Sequence, residues 1–171
     1  MEKQNNSLAV SVVTRSAQRV IGMVVRTSMA TALIDCPKLW SETFGPRIHE
    51  LECGGESYGI SWMVQDTDQT AQSAGAGTDD CVFDYWAALP AREDAPIPDG
   101  MRECYLPEGH YAECHVASLQ GLAAAYNYIY GTWLPGQNEY TVDMRGASYE
   151  LYPADYLRTG RIILYCAVKP L

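Results

Sequence analysis

The chain has 171 residues and no run of about 18 consecutive apolar residues, so no membrane-spanning helix is expected. Its first residues, Met1-Glu2-Lys3-Gln4-Asn5-Asn6, are polar, and the apolar stretch after them is broken by Thr14, Arg15 and Ser16. That is not the build of a signal peptide, and a cytoplasmic protein without a membrane partner is expected. Basic residues are scarce: 12 Lys and Arg face 21 Asp and Glu, a net charge of −9. Without a basic stripe to neutralise phosphates, direct nucleic-acid binding is not expected. An acidic surface attracts cations instead. None of the six cysteines forms a CxxC pair, and His49, His110 and His115 do not stand at ligand spacing, so no metal and no cofactor is expected. In the cytoplasm these cysteines stay reduced, as small buried apolar groups. No Ser-His-Asp or Cys-His arrangement supports covalent hydrolysis, and no catalytic residue is assigned. Phenylalanine is nearly missing, two residues against twelve Tyr and four Trp. Tyr and Trp join a large apolar face to a polar tip, which suits ligand sites better than dry cores.

What remains is an ordinary globular mix, 47% hydrophobic and 19% charged, of a length that fits one domain over 1–171. Leu8 to Val13 and Arg19 to Thr27 read as strands joined by a short polar turn at Thr14 to Gln18. Asp35-Cys36-Pro37 reads as a helix start, with Trp40, Phe44, Ile48 and Leu51 at helical spacing and Pro46 as a kink. Tyr58 to Val64 alternates as a strand, Asp66 to Asp80 reads as a loop, and Cys81 to Leu89 as another strand. Pro90 to Gly100 is a connection. Then the order repeats: Met101 to Leu106 and His110 to Ala117 flank Pro107-Glu108-Gly109, a predicted hairpin turn. Ser118 caps a helix with the stripe Leu119, Leu122, Tyr126, Ile129 and Trp133, ended by Gly131 and Pro135. Ser148 to Tyr152 and Arg161 to Val168 are the last strands. Two half-repeats, about 8–90 and 97–171, predict an α+β fold with two main helices on antiparallel strands.

The second half carries a string of short motifs: Ile97-Pro98-Asp99-Gly100-Met101, Leu106-Pro107-Glu108-Gly109-His110-Tyr111, Tyr128-Ile129-Tyr130-Gly131-Thr132-Trp133-Leu134-Pro135, Tyr149-Glu150-Leu151-Tyr152 and Ile162-Ile163-Leu164-Tyr165. In this order and spacing they resemble the GyrI-like small-molecule-binding family. The same module forms the effector-binding domain of AraC-type and MerR-type multidrug-responsive regulators such as Rob and BmrR. The first half agrees more loosely, through Val20-Ile21-Gly22-Met23, Leu39-Trp40 and Tyr58-Gly59-Ile60. The resemblance implies two pseudo-symmetric βαββ units in one antiparallel sheet, with a ligand cleft between the halves. Such regulators carry a helix-turn-helix region upstream, whereas here the domain starts within the first ten residues, and a stand-alone binding domain is expected.

Glu150 is a carboxylate in an apolar and aromatic strand, sharing a face with Tyr152. In the family a Glu at this position lies at the cleft floor and pairs with cationic ligands, and a Tyr of the closing strand stacks nearby. The resemblance carries these roles to Glu150 and Tyr165. A buried carboxylate pairs readily with a delocalised cation, and each well-placed ring adds about 0.5–2 kcal/mol. The competing reading leaves Glu150 exposed at an edge, in an ion pair of about 0–1 kcal/mol. Further wall candidates are Tyr58 and Trp62, which share a face, and one of Tyr85 and Trp86, which lie on opposite faces. Tyr111 and Glu113 share a face, with Glu113 either a second cleft acid or a solvated one. Trp133 either closes the cleft or packs at the helix end, while Tyr126 and Tyr130 read as core. The leading expectation is a binder of amphipathic, cationic small molecules. A hydrolase of strained electrophilic compounds and a gyrase-interacting protein are the alternatives.

Overall fold

The computed structural model describes residues 8–52, 55–63 and 82–171. The expected loop from Asp66 to Asp80, together with Val64, Cys53 and Cys81, lies outside them. Among the described residues no helix is long and apolar enough to cross a membrane, and no group of His, Cys, Asp and Glu is placed to hold a metal.

The first unit contains β1 (Val10–Arg15), β2 (Gln18–Ser28), α1 (Ala32–Lys38), β3 (Ser57–Met63) and β4 (Val82–Pro90). The second contains β5 (Arg102–Leu106), β6 (Gly109–Val116), α2 (Leu122–Tyr128), β7 (Tyr140–Val142), β8 (Ser148–Tyr152), α3 (Tyr156–Thr159) and β9 (Ile162–Pro170). The fold is α+β, as expected: one nine-stranded antiparallel sheet in the order β1-β6-β9-β8-β3-β4-β2-β5, with β7 beside β9. The two units meet at the central β8–β3 pair and again at the β1–β6 and β2–β5 pairs. Short β7 and α3 were not anticipated, since three or four residues leave little periodic signal.

Neither expected hairpin forms. β1 pairs with β6 rather than β2, and β5 pairs with β2 rather than β6. Arg15 faces Gly109 and Gln18 faces Leu106 in one continuous register. The segments β1–β2 and β5–β6 thus form a single long ribbon, in which Ser16-Ala17 and Pro107-Glu108 are breaks and not reversals. Pro107 lacks the N–H that a ladder needs, so the strand is interrupted there without turning back. Because β1 and β5 stand at opposite ends of the strand order, this ribbon ties the two ends together and curls the sheet. Val20 and Leu106 from one end consequently pack in one cluster with Tyr111 and Tyr165 from the other.

Strand alternation divides the core in two. The inward, concave face holds Val20, Tyr58, Ile60, Leu106, Tyr111, Tyr149 and Tyr165. The outward face is covered by helices. The α1 segment, with Leu39 and Phe44, packs on Ile21, Tyr85, Ala87 and Leu89. The α2 segment, with Ala125 and Ile129, packs on Ala112, Cys114, Leu164 and Cys166.

Both helical segments change pitch. α1 continues as a π turn (Leu39–Phe44) and a 3-10 turn (Gly45–Glu50), and α2 ends in a π turn (Ile129–Trp133). Pro46 sits at the start of the 3-10 turn, where its missing N–H costs nothing, so it divides the helix as predicted. The helix begins earlier than expected, with Thr31 at the cap position, and the Asp35 carboxylate accepts the Thr27 hydroxyl at 2.7 Å. Gly131 lies inside the second π turn instead of ending the helix.

Candidate functional site

The outward side of the β8–β3 junction carries the unusual chemistry. On β8, Glu150 and Tyr152 point outward and Tyr149 and Leu151 inward, as alternation requires. Glu150 stands opposite Gly59 on one side and Leu164 on the other. Glycine at 59 makes room for it: a Cβ there would lie 2.5 Å from both Glu150 Oε2 and the Tyr85 hydroxyl. A carboxylate is thereby seated at the centre of the sheet, on the face that the α1 and α2 segments cover.

Glu150 is only 6% exposed. Its Oε1 accepts the Tyr126 hydroxyl from α2 and its Oε2 accepts the Tyr152 hydroxyl, both at 3.0 Å. Trp40, in the π turn after α1, donates its indole N–H to the Tyr85 hydroxyl at 2.9 Å. The Trp40 ring meets Tyr152 edge-on at 5.9 Å, and Tyr152 meets Tyr156 at 5.0 Å. Among the described residues no Lys, Arg or His pairs with Glu150. Burial therefore governs its ionisation, pushing the carboxyl up to about 7, with the two tyrosine hydroxyls pulling partly back. Burial also raises the Cys36 thiol to about 12, with the charge of Glu150 adding to the effect. The tyrosines around the acid, Tyr85, Tyr126 and Tyr152, are held well above the usual phenol range by burial first and by the carboxylate second. They stay protonated, and Tyr126 and Tyr152 donate to the acid.

Glu150 contrasts with the other buried charge among the described residues, Arg19. That guanidinium, also 6% exposed, donates to Glu103 at 2.7 Å and to the carbonyls of Arg92 and Ala95 at 2.6 and 3.0 Å. Its charge is matched. The charge that Glu150 acquires on ionising is not.

The inward face forms a second aromatic assembly. Tyr58, Tyr111, Tyr149 and Tyr165 pack with ring centroids 5.0–6.4 Å apart. All four are at most 3% exposed. Trp62 and Trp86, half-buried, border the cluster. A cation already sits on these rings: the Arg15 guanidinium lies 4.2 Å from the Tyr165 centroid and 5.8 Å from Tyr149, donating to the Tyr165 hydroxyl at 3.0 Å.

The predicted site residues are thus divided between two faces. Glu150, Tyr152 and Tyr85 converge on the outward side. Tyr58, Trp62, Trp86, Tyr111, Glu113 and Tyr165 share the inward side. The question between Tyr85 and Trp86 resolves with Tyr85 beside Glu150. The expected closeness of Tyr165 to Glu150 is not found. Tyr149 is the residue paired with Tyr165, and Glu150 is paired with Leu164. Trp133 packs at the helix end with the α2 cluster. Glu113, whose side chain is 22% exposed, pairs with His115 at 3.2 Å. Tyr126, Trp40 and Cys36 were missed at the acid, and Arg15 at the tyrosines. A buried phenol or indole needs a hydrogen-bond partner, and that was the available signal for Tyr126 and Trp40. Arg15 has the same parity as Val13, but it reads as the end of an apolar run.

The profile of the GyrI-like small molecule binding domain matches residues 8–166. The protein belongs to the GyrI-like family. It superposes on SAV2435 bound to tetraphenylphosphonium with a TM-score of 0.68 at 11% identity, covering 95% of this chain and 94% of that one. A putative transcription regulation protein of Staphylococcus aureus gives 0.65 at 12% identity, covering 95% and 99%. The EcmrR C-terminal domain gives 0.63 at 9% identity, covering 96% and 99%. At these identities the likeness is one of fold. No curated protein sequence matches the chain significantly.

Proposed function

We propose that this GyrI-like domain binds lipophilic, delocalised cations through the Glu150 nest. The observation that carries the reading is a carboxylate buried among Trp40, Tyr85, Tyr126 and Tyr152 with no basic partner among the described residues. Ionising such a group is costly, and a cation that carries its own apolar surface offsets that cost while meeting aromatic walls. A hydrated ammonium ion would give up more solvation, so the reading favours charge spread over aryl or alkyl groups. Tetraphenylphosphonium, the ligand of SAV2435, is of this kind. Entry would pass between the α1 and α2 segments, where the π turns interrupt regular helix geometry.

The acid's position near neutrality supplies a test. Cation binding favours ionised Glu150, whose carboxyl is raised to about 7, so affinity should climb with pH up to that value and then level. Calorimetric titration with tetraphenylphosphonium is expected to show roughly tenfold weaker binding at pH 6 than at pH 8. Glu150→Gln should weaken binding at least tenfold at pH 8 and flatten the pH dependence. Equal affinity of Glu150→Gln and the unaltered protein would sink the proposal.

A further inference from the structure

The connection from β4 to β5 joins the two units and also walls a cavity of about 410 Å³. That volume lies within the roughly 300–1,000 Å³ of small-molecule sites. Ile21 and Leu89, register partners on β2 and β4, form its floor on the outward face. Leu51, which closes the 3-10 turn, and Pro90, Ala91 and Ala95 of the connection add the walls. The apolar lining is aliphatic throughout. Hydrogen bonds hold the connection in place. The Ala91 N–H donates to the Arg19 carbonyl at 2.9 Å, and the Ala95 N–H to the Arg92 carbonyl at 3.1 Å. The buried Arg19 guanidinium binds the carbonyls of Arg92 and Ala95, and Arg47 donates to the Asp99 carbonyl at 2.7 Å. A cavity beside a pinned wall is pre-formed, which lowers the ordering cost of binding.

The polar lining sets the charge of the occupant. Gln18 is engaged, its amide donating to the Arg19 carbonyl at 2.7 Å. Glu52 meets Arg92 at 3.1 Å, with the two side chains 76% and 68% exposed. An ion pair so exposed is weak and opens readily. Arg92 also has a second acid, Asp94, at 3.6 Å, so it keeps a partner when Glu52 turns away. Glu52, Glu93 and Asp94 outnumber Arg92 here, because Arg19 is matched by Glu103. An excess of carboxylates favours a cationic head group. An aliphatic lining offers no ring face to a cation, so the buried part of the ligand is an alkyl chain and the charge stays at the wet edge.

We infer that this cavity is a second binding site, for n-alkylammonium compounds, with the chain over Ile21 and Leu89 and the ammonium held at the edge by Glu52. Neither Glu150 nor the rings around it line the cavity. The two readings therefore stand or fall independently.

The test titrates the full chain calorimetrically with butyl-, hexyl- and octylammonium. Affinity should rise roughly fourfold for each added methylene, since each leaves water for the cavity. Ala95→Leu, which fills the space, should weaken octylammonium binding at least tenfold. Glu52→Gln should weaken it about threefold, as the loss of one exposed ion pair does. Arg92→Gln should tighten it, because Glu52 then has no competing partner. Glu150→Gln should leave it within twofold. The inference fails if octylammonium does not bind, if chain length has no effect, or if Ala95→Leu or Glu52→Gln binds as tightly as the unaltered protein. Weaker binding by Arg92→Gln, or tighter binding of octanoate than of octylammonium, also overturns it, because the edge would then serve an anion. Loss of octylammonium binding in Glu150→Gln would put the chain in the nest and overturn it too. Should Ala95→Leu not fold, the Ile21 δ-methyl resonance of the unaltered protein answers the same question. It must shift on adding octylammonium but not ammonium chloride, and an unmoved resonance overturns the assignment. Loss of phosphonium binding alone counts against the Glu150 reading and leaves this one intact.

Discussion

The two faces of β8 surround their charges with the same kind of residue and treat them differently. On the outward face Glu150 is buried beneath two helical segments and held by Tyr126 and Tyr152, without a counter-ion among the described residues. On the inward face Arg15 lies over Tyr165 and Tyr149, half-exposed and reaching in from β1. The acid is desolvated and depends on donors, so its protonation is open to change near neutrality. The guanidinium stays charged at any pH of interest and uses ring faces. Similar aromatic content thus makes a proton-sensitive nest on one side and a fixed positive site on the other. What differs is the depth of the charge and the number of covering layers.

The largest break in this comparison should come from the inward floor. Tyr149 touches Tyr58, Tyr111 and Tyr165 at once. Tyr149→Ala is expected to cost about 3–5 kcal/mol of stability in urea denaturation, since no single helix can move in to fill the space. A cost below about 1 kcal/mol would mean that the face collapses freely and is not a tightly packed assembly.

Next comes the pH profile of the outward face. The Glu150 carboxyl titrates near its usual 4.5 when unfolded and at about 7 when folded. Below 4.5 both states hold the proton and the shift has no effect. As pH rises from about 4.5 to about 7 the unfolded chain releases its proton first, so stability falls; above 7 the loss is complete. Its full size is on the order of 3 kcal/mol. Denaturation midpoints at pH 4.5 and 8 should therefore diverge in the unaltered protein much more than in Glu150→Gln. Matching pH profiles would place the acid in water.

A smaller effect is expected at Gly59. The methyl of Gly59→Ala would press on Glu150 Oε2 and the Tyr85 hydroxyl, at a cost of about 1–3 kcal/mol. It should also impair phosphonium binding, as read by calorimetric titration. Unchanged phosphonium affinity would place the cation away from Glu150.

The smallest change is expected at the rim. Glu113→Gln removes a partly exposed pair with His115 and should shift stability by less than about 1 kcal/mol. Phosphonium affinity should stay within twofold. A larger loss would restore Glu113 as a ligand carboxylate and move the cation site to the inward face.

Much of this arrangement is legible in local pattern. The alternation Tyr149-Glu150-Leu151-Tyr152 already puts Glu150 and Tyr152 together, and Tyr85 against Trp86 on opposite faces. The motif order points to the GyrI-like fold, which the family match over 8–166 bears out. Pairing was less accessible. Ser16-Ala17 and Pro107-Glu108 look like turns because their residue types suit turns, yet both lie within one continuous ribbon. Sequence spacing says nothing about which of two equally apolar strands a segment will join.

By itself, then, the sequence determined the longer strands and the two main helices, the acidic balance, and which side chains of each strand share a face, because a period of two residues is a local property of the backbone. Only the tertiary structure decided which faces meet. Register put Leu164 rather than Tyr165 beside Glu150, helix packing brought Tyr126 and Trp40 to the acid, and the exchanged strands carried Arg15 onto the tyrosines. Those contacts join residues up to 150 positions apart, and they are set by how the curled sheet closes its ends.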